Sequence, residues 1–158
     1  MAGRPKRRVT VSGSTIATAL AIASGLAGSL QVAVMSRLGE RVGIWEALGF
    51  STLLTALLGL ALVLVVRHSV AGYERAVHQP LWMLTGGALS LLIVFTVTYA
   101  GPRIGVAATI GVIIAFQLVM GAAIDRWGLL GSQRIGLHPT RVLGIALLAA
   151  GAALSLRK

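Results

Sequence analysis

The stretch AFQLVMGAAIDRWGLLG, residues 115–131, has the pattern of a helix that leaves a lipid bilayer. It opens with apolar and small residues, interrupted only by Gln117, and then turns polar at Asp125 and Arg126, followed by Trp127. Charged and aromatic side chains of this kind collect where a membrane helix reaches the lipid headgroups. The stretch therefore predicts a transmembrane helix that ends next to its acidic residue.

The composition of the whole chain indicates the same environment. The chain has 158 residues, of which 56% are hydrophobic and 11% are charged, whereas soluble domains carry about 25% charged residues. Its mean hydropathy is +0.89. Because a transmembrane helix needs about 20 mostly apolar residues, a chain of this length holds five spans and has no room for a separate catalytic domain.

Charged and polar links divide the chain into five apolar runs. We interpret each run as a helix, because unpaired backbone in lipid excludes open strands and the runs are longer than barrel strands of about ten residues. The links are residues 36–44 and 67–79, a tight turn predicted at Gly101–Pro102–Arg103, and residues 125–139. The sequence thus predicts an all-α membrane protein with a single transmembrane domain over residues 11–156 and helices at about 11–35, 45–66, 80–100, 104–124 and 140–156.

The amino-terminal segment MAGRPKRR allows two interpretations. Its basic residues, with Arg7–Arg8 and the later small residues of ALAIAS, resemble a signal peptide or a twin-arginine signal. The apolar stretch that follows, however, continues for about twenty residues, beyond the 7 to 15 of a signal peptide. We therefore favour an uncleaved first span, with residues 1–10 as a basic cytoplasmic tail.

The net charge of +10 would suggest nucleic acid as the partner of a soluble protein, but here the cations lie between apolar runs. They are expected to set orientation and to meet anionic headgroups, and no nucleic-acid partner is expected. With the amino terminus inside, nine cations lie on the cytoplasmic side and five lie outside: Arg4, Lys6, Arg7, Arg8, Arg67, Arg75, Arg126, Arg134 and Arg141, against Arg37, Arg41, Arg103, Arg157 and Lys158. Without the four tail residues the count is five against five. The rest of the chain, here called the body, therefore has almost no preferred orientation in the membrane.

The first run carries a stripe of small and polar residues at helical spacing. Its members are Ala17, Ala21, Ser24, Gly28 and Gln31. Small residues let another helix approach closely. An amide within a span must find a hydrogen-bond partner, and for Gln31 that partner is either a neighbouring helix or a substrate.

Two residues elsewhere have a structural and a functional interpretation. Glu46 opens the second run, where the helix dipole favours an acid at the interface, but an intramembrane carboxylate can also bind a proton or a cation. Tyr99 suits the aromatic belt at the headgroups, or it contacts a ligand.

In the fourth run Gln117, Gly121 and Asp125 recur every four residues and so share one face of the helix. Gln117 is expected to face protein or a cavity. Asp125 and Arg126 have two possible roles: they end the helix at the membrane interface, or they form part of a gate.

Four motifs in order resemble one known family. FQLVMGAAIDRWGLLG and RVLGIALLAAGAAL resemble the carboxy-terminal signature of the YdcZ-like half-size branch of the drug/metabolite transporter superfamily. GLAGSLQVAVMSRLG resembles its first-helix motif, and PLWMLTGGALS resembles the start of its third helix. The resemblance extends from Gly25 to Leu154. Met35, Phe116 and Glu46 depart from the pattern of the family.

The resemblance implies half of a ten-helix, inverted-repeat transporter. Halves with an odd number of spans pair in opposite orientations and bind substrate at their interface. We therefore expect an antiparallel homodimer, or a dimer with an oppositely oriented paralogous subunit, in the lipid bilayer of the inner membrane. The balanced charges of the body agree with either. Although Gln31 and Gln117 each precede a charged helix end, the sequence shows no convincing internal repeat.

The expected function is transport of a small molecule, with export favoured, by alternating access. Gln31 and Gln117 are the principal substrate-binding candidates, with Ser24 and Tyr99, and Glu46 is the candidate for ion coupling. The alternative is a non-transporting membrane partner that stabilises or regulates another membrane protein.

An enzyme is the least favoured class. The chain has no Cys, and His68, His78 and His138 lie outside the spans without ligand spacing. No catalytic residue, metal site or cofactor is therefore expected.

Overall fold

The computed structural model describes residues 13–136 and 138–156. These residues form helices joined by short connections: α1 (Gly13–Val42), α2 (Ile44–Arg67), α3 (Ala71–Val77), α4 (Leu81–Ile104), α5 (Val106–Trp127), a 3₁₀ turn (Leu129–Gly131) and α6 (Pro139–Ser155). No strand occurs in these two ranges. The basic tail predicted at residues 1–10 lies outside the described residues.

Four of the helices are long and apolar enough to cross a membrane, namely α1, α2, α4 and α5. Helix α6 is apolar but has 17 residues, which at 1.5 Å per residue makes it about 26 Å long, against about 30 Å for the hydrocarbon core. The prediction of an all-α membrane protein is confirmed, while the fifth span stays a prediction. The link at residues 67–79 contains the short helix α3.

The prediction of a tight turn at Gly101–Pro102–Arg103 is wrong. Helix α4 continues through Pro102 and ends at Ile104, and the corner lies at Gly105, where φ is 89°. Proline has a helical φ but removes one backbone donor and crowds the carbonyl four residues earlier; membrane helices tolerate this, because neighbouring helices and Ser or Thr side chains satisfy the freed backbone groups. A positive φ, in contrast, favours glycine strongly, and this moves the corner to the next glycine.

The link predicted at residues 36–44 is also mostly helical. Helix α1 runs on to Val42, and the chain turns at Gly43, where φ is 101°. The two corners share the pattern Gly-x-Arg-x-Gly, as GERVG at 39–43 and GPRIG at 101–105. In both, the second glycine donates its N–H to the carbonyl of the first, at 3.1 Å and 3.0 Å. The structure thus reveals a short internal repeat that the sequence analysis missed.

The two corners pack against each other reciprocally. The Oγ of Ser36 in α1 lies directly against Gly101 in α4, and the equivalent Thr98 lies against Gly39, where an added Cβ would be 2.6 Å from the Cγ2 of Thr98. Both hydroxyls donate to the carbonyl four residues earlier in their own helix, at 2.7 Å. The exchange of equivalent contacts relates the corners by a local pseudo-twofold symmetry.

The hydrophobic core lies at this corner end of the bundle. It is formed by Val32, Met35, Ala47 and Val97, with partly buried side chains from α5 around them. Elsewhere α1, α2 and α4 separate. Residues 13–27 are all exposed, and residues 52–93 are exposed apart from the half-buried Val63. These three helices are therefore packed at one end and open at the other, whereas α5 packs against α6 through the buried Ala115, Ala122 and Ala152.

Candidate functional site

Asp125, the acid that ends α5, binds α6. Its Oδ2 accepts a hydrogen bond from Nη2 of Arg141 at 2.5 Å, and the two side chains are 26% and 36% exposed. The Asp125 carbonyl also accepts the N–H of Ile135 at 2.9 Å. This one residue therefore connects α5, the following loop and the first turn of α6.

Arg141 is the residue that sequence reasoning missed, because it was counted only among the cations of the cytoplasmic side. Its opposite charge to Asp125, on the same predicted side of the membrane, was the available signal. Arg126, the other gate candidate, is exposed and makes no ion pair within residues 13–136 and 138–156.

The two glutamines are uncovered in this chain. Gln31 lies on α1 and Gln117 on α5, and both side chains are exposed. Neither makes a hydrogen bond to any described residue, so the structure does not join them to each other. Ser24 is exposed as well, two helical turns before Gln31. These three polar side chains therefore lie on apolar helices without a partner from the described chain.

Tyr99 belongs to a row of aromatic rings at the corner end. The ring of Trp45 stacks on Phe95 with a centroid distance of 5.3 Å, and Phe95 stacks on Tyr99 at 5.9 Å. The guanidinium of Arg103 lies 3.6 Å from the centroid of the Tyr99 ring, and its Nη1 donates to the Tyr99 carbonyl at 2.6 Å. One face of Tyr99 is thus covered by a cation, and the residue stays 45% exposed.

Glu46 lies at the same end, next to Trp45 in the first turn of α2. Its carboxylate bends back against Gly43, the corner residue. The positive end of the helix dipole favours a negative charge there. Glu46 is exposed and forms no ion pair with any described residue.

The candidate residues thus separate into three places. Glu46 and Tyr99 share the corner end, Asp125 and Arg126 lie at the opposite end of α5, and the glutamines with Ser24 lie on open helix faces. Among the residues that the structure describes, no group of three or more His, Asp or Glu side chains could hold a metal ion. The polar groups can donate and accept hydrogen bonds and exchange a proton.

One family model matches residues 16–154, from α1 to the end of α6. It is the DMT YdcZ family, described as "putative inner membrane exporter, YdcZ". The chain belongs to the YdcZ family. The resemblance found in the motifs is confirmed, and with it the assignment as a multi-pass inner-membrane protein of a transporter family. No curated protein and no solved structure matches this YdcZ-family chain significantly.

Proposed function

We propose that this YdcZ-family chain is one subunit of a small-molecule exporter that works by alternating access as an antiparallel dimer. The observation that carries the proposal is the pair of uncovered amides, Gln31 on α1 and Gln117 on the exposed side of α5. A buried amide without a hydrogen bond is costly. In the bilayer these amides therefore need a second subunit, a substrate or water.

The charge of the chain and its five predicted spans support the antiparallel arrangement. The cations of the body divide five against five between the two sides of the predicted topology. The positive-inside rule therefore gives the body little preference for either orientation. An odd number of spans places the halves of an inverted repeat in opposite orientations, with the site at their interface. A second copy, or an oppositely oriented paralogous subunit, would then enclose the open faces of α1 and α5.

Within this dimer, the glutamines and Ser24 bind substrate through hydrogen bonds. Glu46 exchanges the coupling proton, because it is an acid without a cationic partner among the described residues. Tyr99 adds a hydroxyl and an aromatic edge at the same end as Glu46. These groups suit a small molecule that donates and accepts hydrogen bonds.

A first experiment tests the cavity without a known substrate. Single cysteines replace Gln31, Gln117 and, as a lipid-facing control, the exposed Leu57 in a chain that has no native cysteine. We expect a small water-soluble thiol reagent to modify the first two about 10-fold faster or more, because the reactive thiolate forms in water and is suppressed in hydrocarbon. Equal slow modification at all three positions contradicts a hydrated cavity.

A second experiment tests transport. Protein in liposomes that enclose a pH-sensitive dye is screened with small organic cations and amino acids for substrate-dependent proton movement. We expect Gln31→Leu and Gln117→Leu to weaken transport and Glu46→Gln to abolish proton coupling, while Glu40→Gln, an exposed acid already paired with Arg37, retains both. If no compound gives a signal and both Leu variants are as stable as the native chain, the chain is a non-transporting partner instead.

A further inference from the structure

A groove with a polar and an apolar part lies between α2 and α3, away from the transport candidates. Two adjoining cavities of about 800 Å³ and 780 Å³ share the residues Ala71 and Tyr73 of α3. The first is mostly apolar and is lined by α2 through Ala56, Gly59 and Leu60. The second opens at the end of α2 and is lined by polar and charged groups as well as by apolar ones.

The polar part carries two cations without partners. Arg67, at the end of α2, and Arg75, in α3, both line the second cavity, together with Ser69. Both arginines are exposed and form no ion pair with residues 13–136 or 138–156. The nearest acid in sequence, Glu74, lines the apolar cavity and is likewise unpaired. The polar part therefore favours an anion.

The groove lies at the level of the membrane surface. Helix α3 connects the end of α2 with the start of α4, both of which are spanning helices. Tyr73 in the groove and Trp82 in the first turn of α4 are half exposed, as is typical of aromatic residues at the headgroup level. From Arg67 to Gly59 the wall of the groove follows α2 for eight residues, about 12 Å toward the bilayer centre.

We propose that this groove binds an anionic phospholipid, with its phosphate between Arg67 and Arg75 and one acyl chain along α2. The planar donors of arginine suit phosphate oxygens. Ala56 and Gly59 leave space beside α2, and an acyl chain fills it with apolar contact. A free phosphate would use the cations but not the apolar wall. This site depends only on α2 and α3 and stands whether or not the chain transports a substrate.

The test compares lipid retention by native mass spectrometry. Delipidated protein is titrated with phosphatidylglycerol or phosphatidylcholine in mixed micelles. We expect the native chain to retain phosphatidylglycerol preferentially, and Arg67→Gln with Arg75→Gln to lower its affinity about 25-fold, since each cation near an anionic lipid contributes about fivefold. The matched control is Arg126→Gln with Arg134→Gln, which removes the same charge on the same predicted side and should retain the affinity.

Two further variants test the sign of the charge and the apolar wall. Glu74→Gln removes a repelling carboxylate, so we expect phosphatidylglycerol to bind more tightly. Gly59→Leu fills the apolar cavity and should weaken phosphatidylglycerol binding with both arginines intact. Thermal unfolding of each variant checks that it is folded.

Three results would overturn the proposal. The first is equal retention of phosphatidylglycerol by the double arginine variant and its control. The second is binding of glycerol phosphate, which lacks acyl chains, as tightly as phosphatidylglycerol, because the groove would then be an anion site only. The third is a change of oligomeric state in Gly59→Leu without a change in lipid retention, which would place a second copy of the chain in the groove.

Discussion

The carboxylate of Asp125 has a different role from the one that its position in the sequence indicates. At the end of an apolar run it reads as an interfacial stop or a gate, but its side chain binds Arg141 across the connection between α5 and α6. The pair is partly shielded from solvent, so it is stronger than a surface pair and depends on both partners. Asp125 therefore holds α6 in place, whatever part it has in gating.

Removal of this carboxylate should destabilise the protein. We expect Asp125→Asn to cost about 1 to 3 kcal/mol, because the amide oxygen can still accept a hydrogen bond but the charge of Arg141 loses its counter-ion. The matched control is Glu40→Gln, which breaks the exposed pair with Arg37 and should cost at most about 1 kcal/mol. Thermal unfolding in detergent, followed by tryptophan fluorescence, measures both.

The reversed pair gives the second check. Asp125→Arg combined with Arg141→Asp restores opposite charges at the same two positions, so it should recover part of the lost stability. Equal melting temperatures for Asp125→Asn and Glu40→Gln would show that the partly shielded pair contributes no more than the exposed one.

Among the helices, α1 and α4 show how small residues determine a crossing. Their contact places Ser36 against Gly101 and Thr98 against Gly39, with no space for a Cβ on either glycine. Small residues let two helix backbones approach closely, and in lipid this packing replaces the hydrophobic effect as the driving force. The crossing brings the two glycine corners together and so forms the packed end of the bundle.

A methyl group at this crossing should separate the helices. We expect Gly101→Ala to destabilise the protein by about 1 to 3 kcal/mol through overpacking. Gly86→Ala in the same helix has open space around its Cβ and should be neutral or stabilising by up to about 1 kcal/mol, because alanine is the better helix former.

A second variant tests whether the loss of stability in Gly101→Ala comes from the clash with Ser36. Ser36→Gly removes the atoms that a Cβ at position 101 would meet, so the double variant should regain part of the melting temperature. Failure of Ser36→Gly to rescue Gly101→Ala would place the strain elsewhere.

At the level of the whole molecule, orientation in the membrane rests on the tail. The four cations of residues 4–8 supply all of the charge difference between the two sides of the predicted topology. Single cysteines at Val42 and at Gln133 report on the two ends of the bundle, and both positions are exposed.

We expect an impermeant thiol reagent to label Val42→Cys far more than Gln133→Cys on intact cells. Replacing the four tail cations with glutamine should expose Gln133→Cys to labelling as well, because the body is balanced. Unchanged labelling after this replacement would mean that the body of the chain, and not its tail, sets the orientation.

The proposed antiparallel dimer makes a separate prediction with the same two positions. Val42 and Gln133 lie at opposite ends of one subunit, so in an antiparallel dimer Val42 of one copy and Gln133 of the other lie on the same side. In the variant whose four tail cations are glutamine, where both orientations are expected, a bifunctional thiol reagent should then link a Val42→Cys subunit to a Gln133→Cys subunit. The native chain, held in one orientation by its tail, should not give this link and would pair with an oppositely oriented paralogous subunit. Efficient links between two Val42→Cys subunits, with none to Gln133→Cys, would instead indicate a parallel dimer.

Composition and apolar length were enough to predict an all-helical membrane protein, because the bilayer permits few backbone conformations. The motifs were enough to identify the family. The sequence misplaced the turn before Gly105 and missed the reciprocal corners and the Asp125–Arg141 pair. These features depend on contacts between residues far apart in the sequence, and a local sequence pattern does not specify such contacts. Packing between helices determines which residues contact Gly101 and Arg141, so these contacts could be identified only from the tertiary structure.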